Sequence, residues 1–215
     1  MSRILLTGAS GLVGNHLLRL LIAEPRVSEI IAPTRRPLPP MKKVINPVEA
    51  DLTDVLRPLQ QPVDIVFCCL GTTRKLAGSK AAFLHVDYTL VIDSAIAGQR
   101  LGAKHMLAVS AHGASVNSPF FYHRVKGEME RALRQQNWPR LTLIRPSLLL
   151  GDRQQPRPGE AFLAPLFKLL PGNWRAVTAK DVAAALMREA FSPGRNDVTI
   201  IESAAISRHR LTTRE

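Results

Sequence analysis

The sequence predicts an α/β fold, a parallel sheet wound on both faces by helices. Three observations carry this. Apolar strand-like runs alternate with helical stretches along most of the 215 residues. The runs are near-continuously apolar, as in Val63-Asp64-Ile65-Val66-Phe67-Cys68-Cys69-Leu70, which suits strands covered on both faces. A glycine-rich turn joins the first run to the first helix.

In chain order, the first strand is expected at 3–7 around Ile4-Leu5-Leu6, and the first helix at 12–23 around Leu17-Leu18-Arg19-Leu20-Leu21-Ile22. Between them lies Thr7-Gly8-Ala9-Ser10-Gly11-Leu12-Val13-Gly14. Further strands are expected at 29–33, 43–47, 63–70, 105–111, 141–149 and 197–202, and helices at 79–101, 120–136 and 180–191. Asp181 opens the last of these, where its charge suits the helix dipole. The stretch Arg36-Pro37-Leu38-Pro39-Pro40 reads as a surface loop. From 151 to 175 the pattern weakens, and Pro156, Pro158, Pro165 and Pro171 interrupt it. That segment is expected to be a small irregular cap over the ligand-binding edge of the sheet, within one domain spanning 1–215. The basic tail after Ser207 is expected to fray.

Composition narrows the function. Apolar content of 46% and charged content of 21% are globular values. With the first strand starting at residue 3, no leader is expected, and no apolar run reaches the about 18 residues of a membrane span. Cys68 and Cys69 are adjacent on a strand and read as buried thiols rather than a disulfide or metal framework. A cytoplasmic location follows as an expectation. The net charge of +12 is spread along the chain without any nucleic-acid-binding signature. It favours anionic small ligands by steering, and no specific nucleic-acid or membrane partner is expected. His85, His112 and His123 are scattered without metal-ligand spacing.

The glycine turn is the first site. After a strand, Gly8 permits a tight turn and Gly11 lets the backbone approach a pyrophosphate. Gly14 lets the helix sit close to the sheet, with its positive N-terminal end toward the phosphates. Ser10, Leu12 and Val13 belong to the same cradle. Cofactor choice is read at the end of the second strand. An acid there would bind the ribose hydroxyls; here the chain runs Pro33-Thr34-Arg35-Arg36. Two guanidiniums suit a 2′-phosphate and Thr34 can add a hydroxyl, so NADP(H) is expected over NAD(H). Asp51 and Leu52 follow the third strand, where a carboxylate can accept from an adenine amino group; an exposed loop carboxylate is an equal reading of Asp51.

Tyr122-His123-Arg124-Val125-Lys126 places a Tyr and a Lys one helical turn apart on one face. A phenol titrates near about 10, and a neighbouring ammonium would favour phenolate. Ser110 ends the strand containing Met106-Leu107-Ala108-Val109, at the carboxyl edge where ligands bind. Ser110 is expected to orient and polarise a substrate oxygen, Tyr122 to give it a proton, and Lys126 to lower the Tyr122 pKa and hold the nicotinamide ribose. His112 near this site can touch substrate, and Arg153 and Arg157 can meet an anionic one, although solvated loop positions account for all three.

These residues resemble the short-chain dehydrogenase/reductase superfamily. Cys68-Cys69-Leu70-Gly71-Thr72-Thr73-Arg74, the Tyr122–Glu128 string, Arg145-Pro146 and the 152–160 string are similar to its atypical branch around the animal Tat-interacting oxidoreductase. The resemblance implies a Rossmann-like sheet, NADPH binding and a Ser-Tyr-Lys site. It further implies that Leu70, Gly71 and Thr72 line the cofactor cleft, that Pro146, Ser147 and Leu148 sit beside the nicotinamide, and that helices 79–101 and 120–136 can form a homodimer face. The expected activity is hydride transfer to or from a small carbonyl or alcohol. Two alternatives stay open: an NADPH-sensing binding protein with little turnover, and an epimerase or dehydratase that uses bound NADP.

Overall fold

The computed structural model describes residues 1–147, 149–150, 176–193 and 197–208. Strands β1 (Ser2–Thr7), β2 (Val27–Ile31), β3 (Val44–Ile45), β4 (Ile65–Cys68), β5 (His105–Val109) and β6 (Arg140–Arg145) alternate with helices. The helices are α1 (Leu12–Ala23), α2 (Leu52–Leu56), α3 (Arg74–Ala77), α4 (Lys80–Leu84), α5 (Leu90–Arg100) and α6 (Phe121–Gln135). Then come β7 (Leu149–Leu150), β8 (Val177–Thr178), α7 (Ala179–Phe191), β9 (Val198–Glu202) and α8 (Ser203–Arg208). The main sheet has seven strands in the order β3-β2-β1-β4-β5-β6-β9, every neighbouring pair parallel.

The fold class is the Rossmann-like doubly wound sheet that the sequence predicts. Strand order reverses between β1 and β4, and such a switch point opens a crevice at the carboxyl ends of the strands. Side chains alternate across the sheet, as strand geometry requires. Ile4, Leu6, Ile30, Phe67, Leu107 and Ile144 pack on one face with Leu17, Leu18 and Leu21 of α1 and Val182 and Leu186 of α7. Leu5, Ile31, Val66, Cys68, Met106, Ala108 and Leu143 pack on the other with Val91 and Ala95 of α5 and Met129 and Leu133 of α6. Burying each such aliphatic side chain stabilises the fold by ~1.5–3 kcal/mol. Gly98 brings α5 unusually close, since a Cβ there would lie 2.2 Å from Val66 Cγ2.

Some elements differ from the expectation. The run expected at 141–149 is two strands: β6 leaves the main sheet at Arg145, and β7 pairs with β8 in a separate two-stranded sheet. Pro146 stands at the break, having no N–H to continue the ladder. The helix expected at 79–101 starts on Ser79, whose hydroxyl caps the Ala82 N–H, and contains a π-turn over His85–Thr89 between α4 and α5. This 21-residue run is apolar and long enough to cross a membrane, with mean hydropathy 1.2. Phe83, Leu90, Val91 and Ala95 are nonetheless buried in the protein, as a core helix requires. The short α2 and α3 were not expected; the side chains of Asp51 and Thr73 cap them. Thr178 and Asp181 close a reciprocal capping box on α7. The expected cap at 151–175, with Arg153 and Arg157, and the tail beyond 208 lie outside the described residues.

Candidate active site

The glycine turn builds a cradle from main chain. Gly8 has φ +82°, and a Cβ there would meet the Cys69 carbonyl carbon at 2.6 Å and the Leu70 nitrogen at 2.8 Å. Gly8 therefore locks the end of β1 against the end of β4, the two sides of the switch point. A Cβ at Gly14 would lie 2.0 Å from the Gly8 carbonyl oxygen, so α1 starts hard against the turn. Ser10 and Gly11 are exposed on the rim, Leu12 is half-buried, and Val13 and Gly14 are buried beneath it. Gly11 is the N-cap of α1, with no side-chain cap and no acid in the first turn. The opening N–H groups and the positive dipole end are thus left for an anion, and the residues present fit a dinucleotide pyrophosphate.

At the end of β2, Arg35 and Arg36 are exposed, and among the described residues neither has an ion pair. Thr34 is different. Its buried hydroxyl donates to the Arg36 carbonyl at 2.6 Å and accepts from Asn46 Nδ2 at 2.8 Å, so it shapes the loop that presents the arginines. Asp51 is exposed and accepts from the Thr53 N–H; that bond, outweighing partial burial, holds its carboxyl below the usual range. Leu52 is buried in the core. Leu70, Gly71 and Thr72 follow β4 at the carboxyl edge, and the Thr72 N–H donates to Asp87 Oδ2 at 2.8 Å. Pro146 is buried and its carbonyl accepts from the His112 N–H at 2.9 Å, tying the loops after β5 and β6 together. The Ser147 N–H donates to Ser203 Oγ at 3.2 Å. Leu148 lies outside the described residues.

Tyr122 and Lys126 share a face of α6 one turn apart. Tyr122 is 40% exposed, its ring tilted against Phe83 at 5.8 Å and against His123 at 5.4 Å. Lys126 is buried, and its Nζ lies 2.7 Å from Asp87 Oδ1, a close buried ion pair. Burial presses the ammonium pKa down, but the Asp87 carboxylate and the Tyr122 phenol oxygen outweigh it, and the net direction is upward. Lys126 is therefore held charged beside Tyr122. Gly127 seats this part of the helix: a Cβ there would meet the Ser115 carbonyl carbon at 2.2 Å.

Ser110 follows β5 directly, as expected, and is buried. Its hydroxyl donates to Glu130 Oε1 at 2.5 Å. Arg145 donates to both oxygens of the same carboxylate, Nε to Oε1 at 2.9 Å and Nη2 to Oε2 at 2.6 Å, and Nη1 reaches Glu202 at 3.0 Å. Glu130, above all, raises the Arg145 pKa further. His112 Nδ1 stands 3.3 Å from Glu202. Cys68 and Cys69 are free thiols, pushed up in pKa by burial, as suits structural residues.

Sequence reasoning missed Asp87, Glu130, Arg145 and Glu202. Glu130 carries a readable signal: it continues the Tyr122–Lys126 register by another four residues, onto a face that also holds buried Met129 and Leu133. Asp87 carries none, because its placement depends on the π-turn.

A family profile described as NAD(P)H-binding matches residues 8–193, which include the cradle and the α6 pair. The chain belongs to this NAD(P)H-binding family. It is 35% identical over 211 residues to the protein HTATIP2 of Rattus norvegicus, covering 94% of this chain and 87% of that one. It is 36% identical over 156 residues to the mitochondrial protein FMP52 of Meyerozyma guilliermondii, covering 71% and 67%. A short chain dehydrogenase family protein from Francisella tularensis superposes with TM-score 0.69 at 16% identity, covering 95% of this chain and 98% of that one. The expected membership of the dehydrogenase branch around HTATIP2 holds, and with it an NAD(P)-binding fold of oxidoreductase type.

Proposed function

We propose that the protein is an NADPH-dependent oxidoreductase that interconverts a small carbonyl compound and its alcohol. The observation that carries this is the Tyr122–Lys126 pair on α6, with the ammonium buried on Asp87 and the phenol left exposed. When bound, the dinucleotide supplies or takes up hydride. Tyr122 exchanges the proton with the substrate oxygen, and the Lys126 charge stabilises its phenolate. Ser110 contacts the same oxygen. Gly8, Gly11, Gly14 and the α1 N-terminus hold the pyrophosphate, and Arg35 and Arg36 select the 2′-phosphate. A carbonyl panel with NADPH tests this: Tyr122→Phe should keep nucleotide affinity and lose turnover by about a hundredfold or more. Turnover unchanged in the variant would sink the mechanism. Tight NADPH binding with no turnover by the wild type would instead make the protein a nucleotide sensor.

A further inference from the structure

Ser110 is expected to polarise a carbonyl oxygen, a role that needs its proton. In this fold the proton is already engaged. The Ser110 hydroxyl donates over 2.5 Å to Glu130 Oε1, in the range of a charge-assisted O–H···O⁻ bond. Glu130 is a poor candidate to release it. Its carboxylate is gripped at both oxygens by Arg145, and Arg134 Nη2 stands 4.0 Å from Oε2. Arg131, Arg134 and Arg145 also line the groove beside it. A carboxylate carries no proton, so it can only accept from the serine. The Ser110 main-chain N–H is likewise occupied, donating to the Ile144 carbonyl at 2.8 Å. What Ser110 retains for a ligand is the lone pairs of its oxygen.

We infer that Glu130 is a positioning residue that turns Ser110 into a hydrogen-bond acceptor, so that the site selects the hydroxyl form of its substrate, an alcohol, over the carbonyl form. This rests on the proposed oxidoreductase reading and deepens it. With Tyr122 as the phenol, an alcohol oxygen accepts from Tyr122 while its own O–H donates to Ser110, whereas a ketone oxygen meets the serine lone pairs and relies on Tyr122 alone. Arg145 acts through Glu130, fixing the carboxylate by a two-pronged bond that spans α6 and the end of β6.

Dead-end complexes test this without demanding turnover. Matched pairs (propan-2-ol and acetone, cyclohexanol and cyclohexanone, 1-phenylethanol and acetophenone) are titrated against the protein, alcohols onto the NADPH complex and ketones onto the NADP⁺ complex. No hydride can move in either case. Ser110→Ala should weaken alcohol binding by about tenfold, the worth of one hydrogen bond, and leave ketone binding unchanged or tighter. Glu130→Gln should move both in the same senses, because its amide N–H₂ can donate to Ser110 and free the serine proton. Glu130→Asp, which keeps a carboxylate, should restore part of the alcohol preference. Selective loss of ketone binding in Ser110→Ala would overturn the inference, as would equal weakening of both ligands in both variants. Failure of every pair to bind the wild type also overturns it. Loss of the oxidoreductase reading has a separate signature, the unaltered turnover of Tyr122→Phe.

Discussion

Single side chains bear on two questions in this cleft, how Lys126 is held and, in the proposed function, which nucleotide is selected. Removing one partner of a buried ion pair such as Lys126–Asp87 costs about 3–5 kcal/mol, because the other charge is left without water or partner. The pair therefore fixes the ammonium beside Tyr122 more firmly than packing alone would. Arg35 and Arg36 are the reverse case, two exposed guanidiniums with no carboxylate to satisfy them among the described residues. The proposed preference for NADPH rests on them. Since a hydrogen bond to a charged group is worth about 1.5–3 kcal/mol, wild-type protein should bind NADPH at least about tenfold more tightly than NADH. In Arg35→Ala/Arg36→Ala the two affinities, followed by nucleotide fluorescence, should converge. A ratio that survives the double substitution would remove these residues from cofactor choice.

Among the elements, β5 carries a pH dependence of its own. His105 opens this strand, is buried, and its Nε2 lies 2.9 Å from Thr142 Oγ1 of β6. Burial, helped by the Arg140 charge, pushes its pKa down from 6.5 to about 3. The unfolded chain thus takes up this proton first as the solution is acidified. The stability tied to a neutral His105 is complete above pH 6.5 and is lost as pH falls toward 3. The loss amounts to about 1.4 kcal/mol per pH unit inside that window. Urea midpoints between pH 7 and 4 should decline more steeply for wild type than for His105→Gln, and parallel declines would exclude the histidine as the cause. Elements also show what sequence can reveal. The β1–turn–α1 unit was legible because each glycine answers a local demand, a positive φ or a close approach, at fixed spacing. The Tyr122–Lys126 pair was legible because helical periodicity alone makes them neighbours. Glu130, the partner of Ser110, lay open to the same periodicity, whereas Asp87, Arg145 and Glu202 did not, because β5, β6, β9 and a π-turn must first assemble to bring them in. The β6–β7 break at Pro146 had a local cause and could have been read from the missing N–H.

Across the whole molecule, the net charge of +12 and the cleft at the β1–β4 switch point act together. A basic surface raises the local concentration of a polyanionic nucleotide and speeds its arrival. Raising salt from about 10 mM to about 150 mM shortens the screening length from about 30 Å to about 8 Å. Stopped-flow association of NADPH should slow several-fold over that range, and NADH, with less charge, should slow less. Equal insensitivity of both rates would mean that the surface charge serves something other than nucleotide capture. The cradle at that switch point also constrains how the chain can change by descent. The atoms that would obstruct a side chain at Gly8 belong to the backbone of Cys69 and Leu70, and those at Gly14 to the backbone of Gly8 and Ala9. Every residue type brings that same backbone, so trimming a neighbouring side chain cannot clear the space. A lineage that loses either glycine regains the nucleotide cradle by reversion or by a change that moves the backbone itself, not by shaving a side chain nearby.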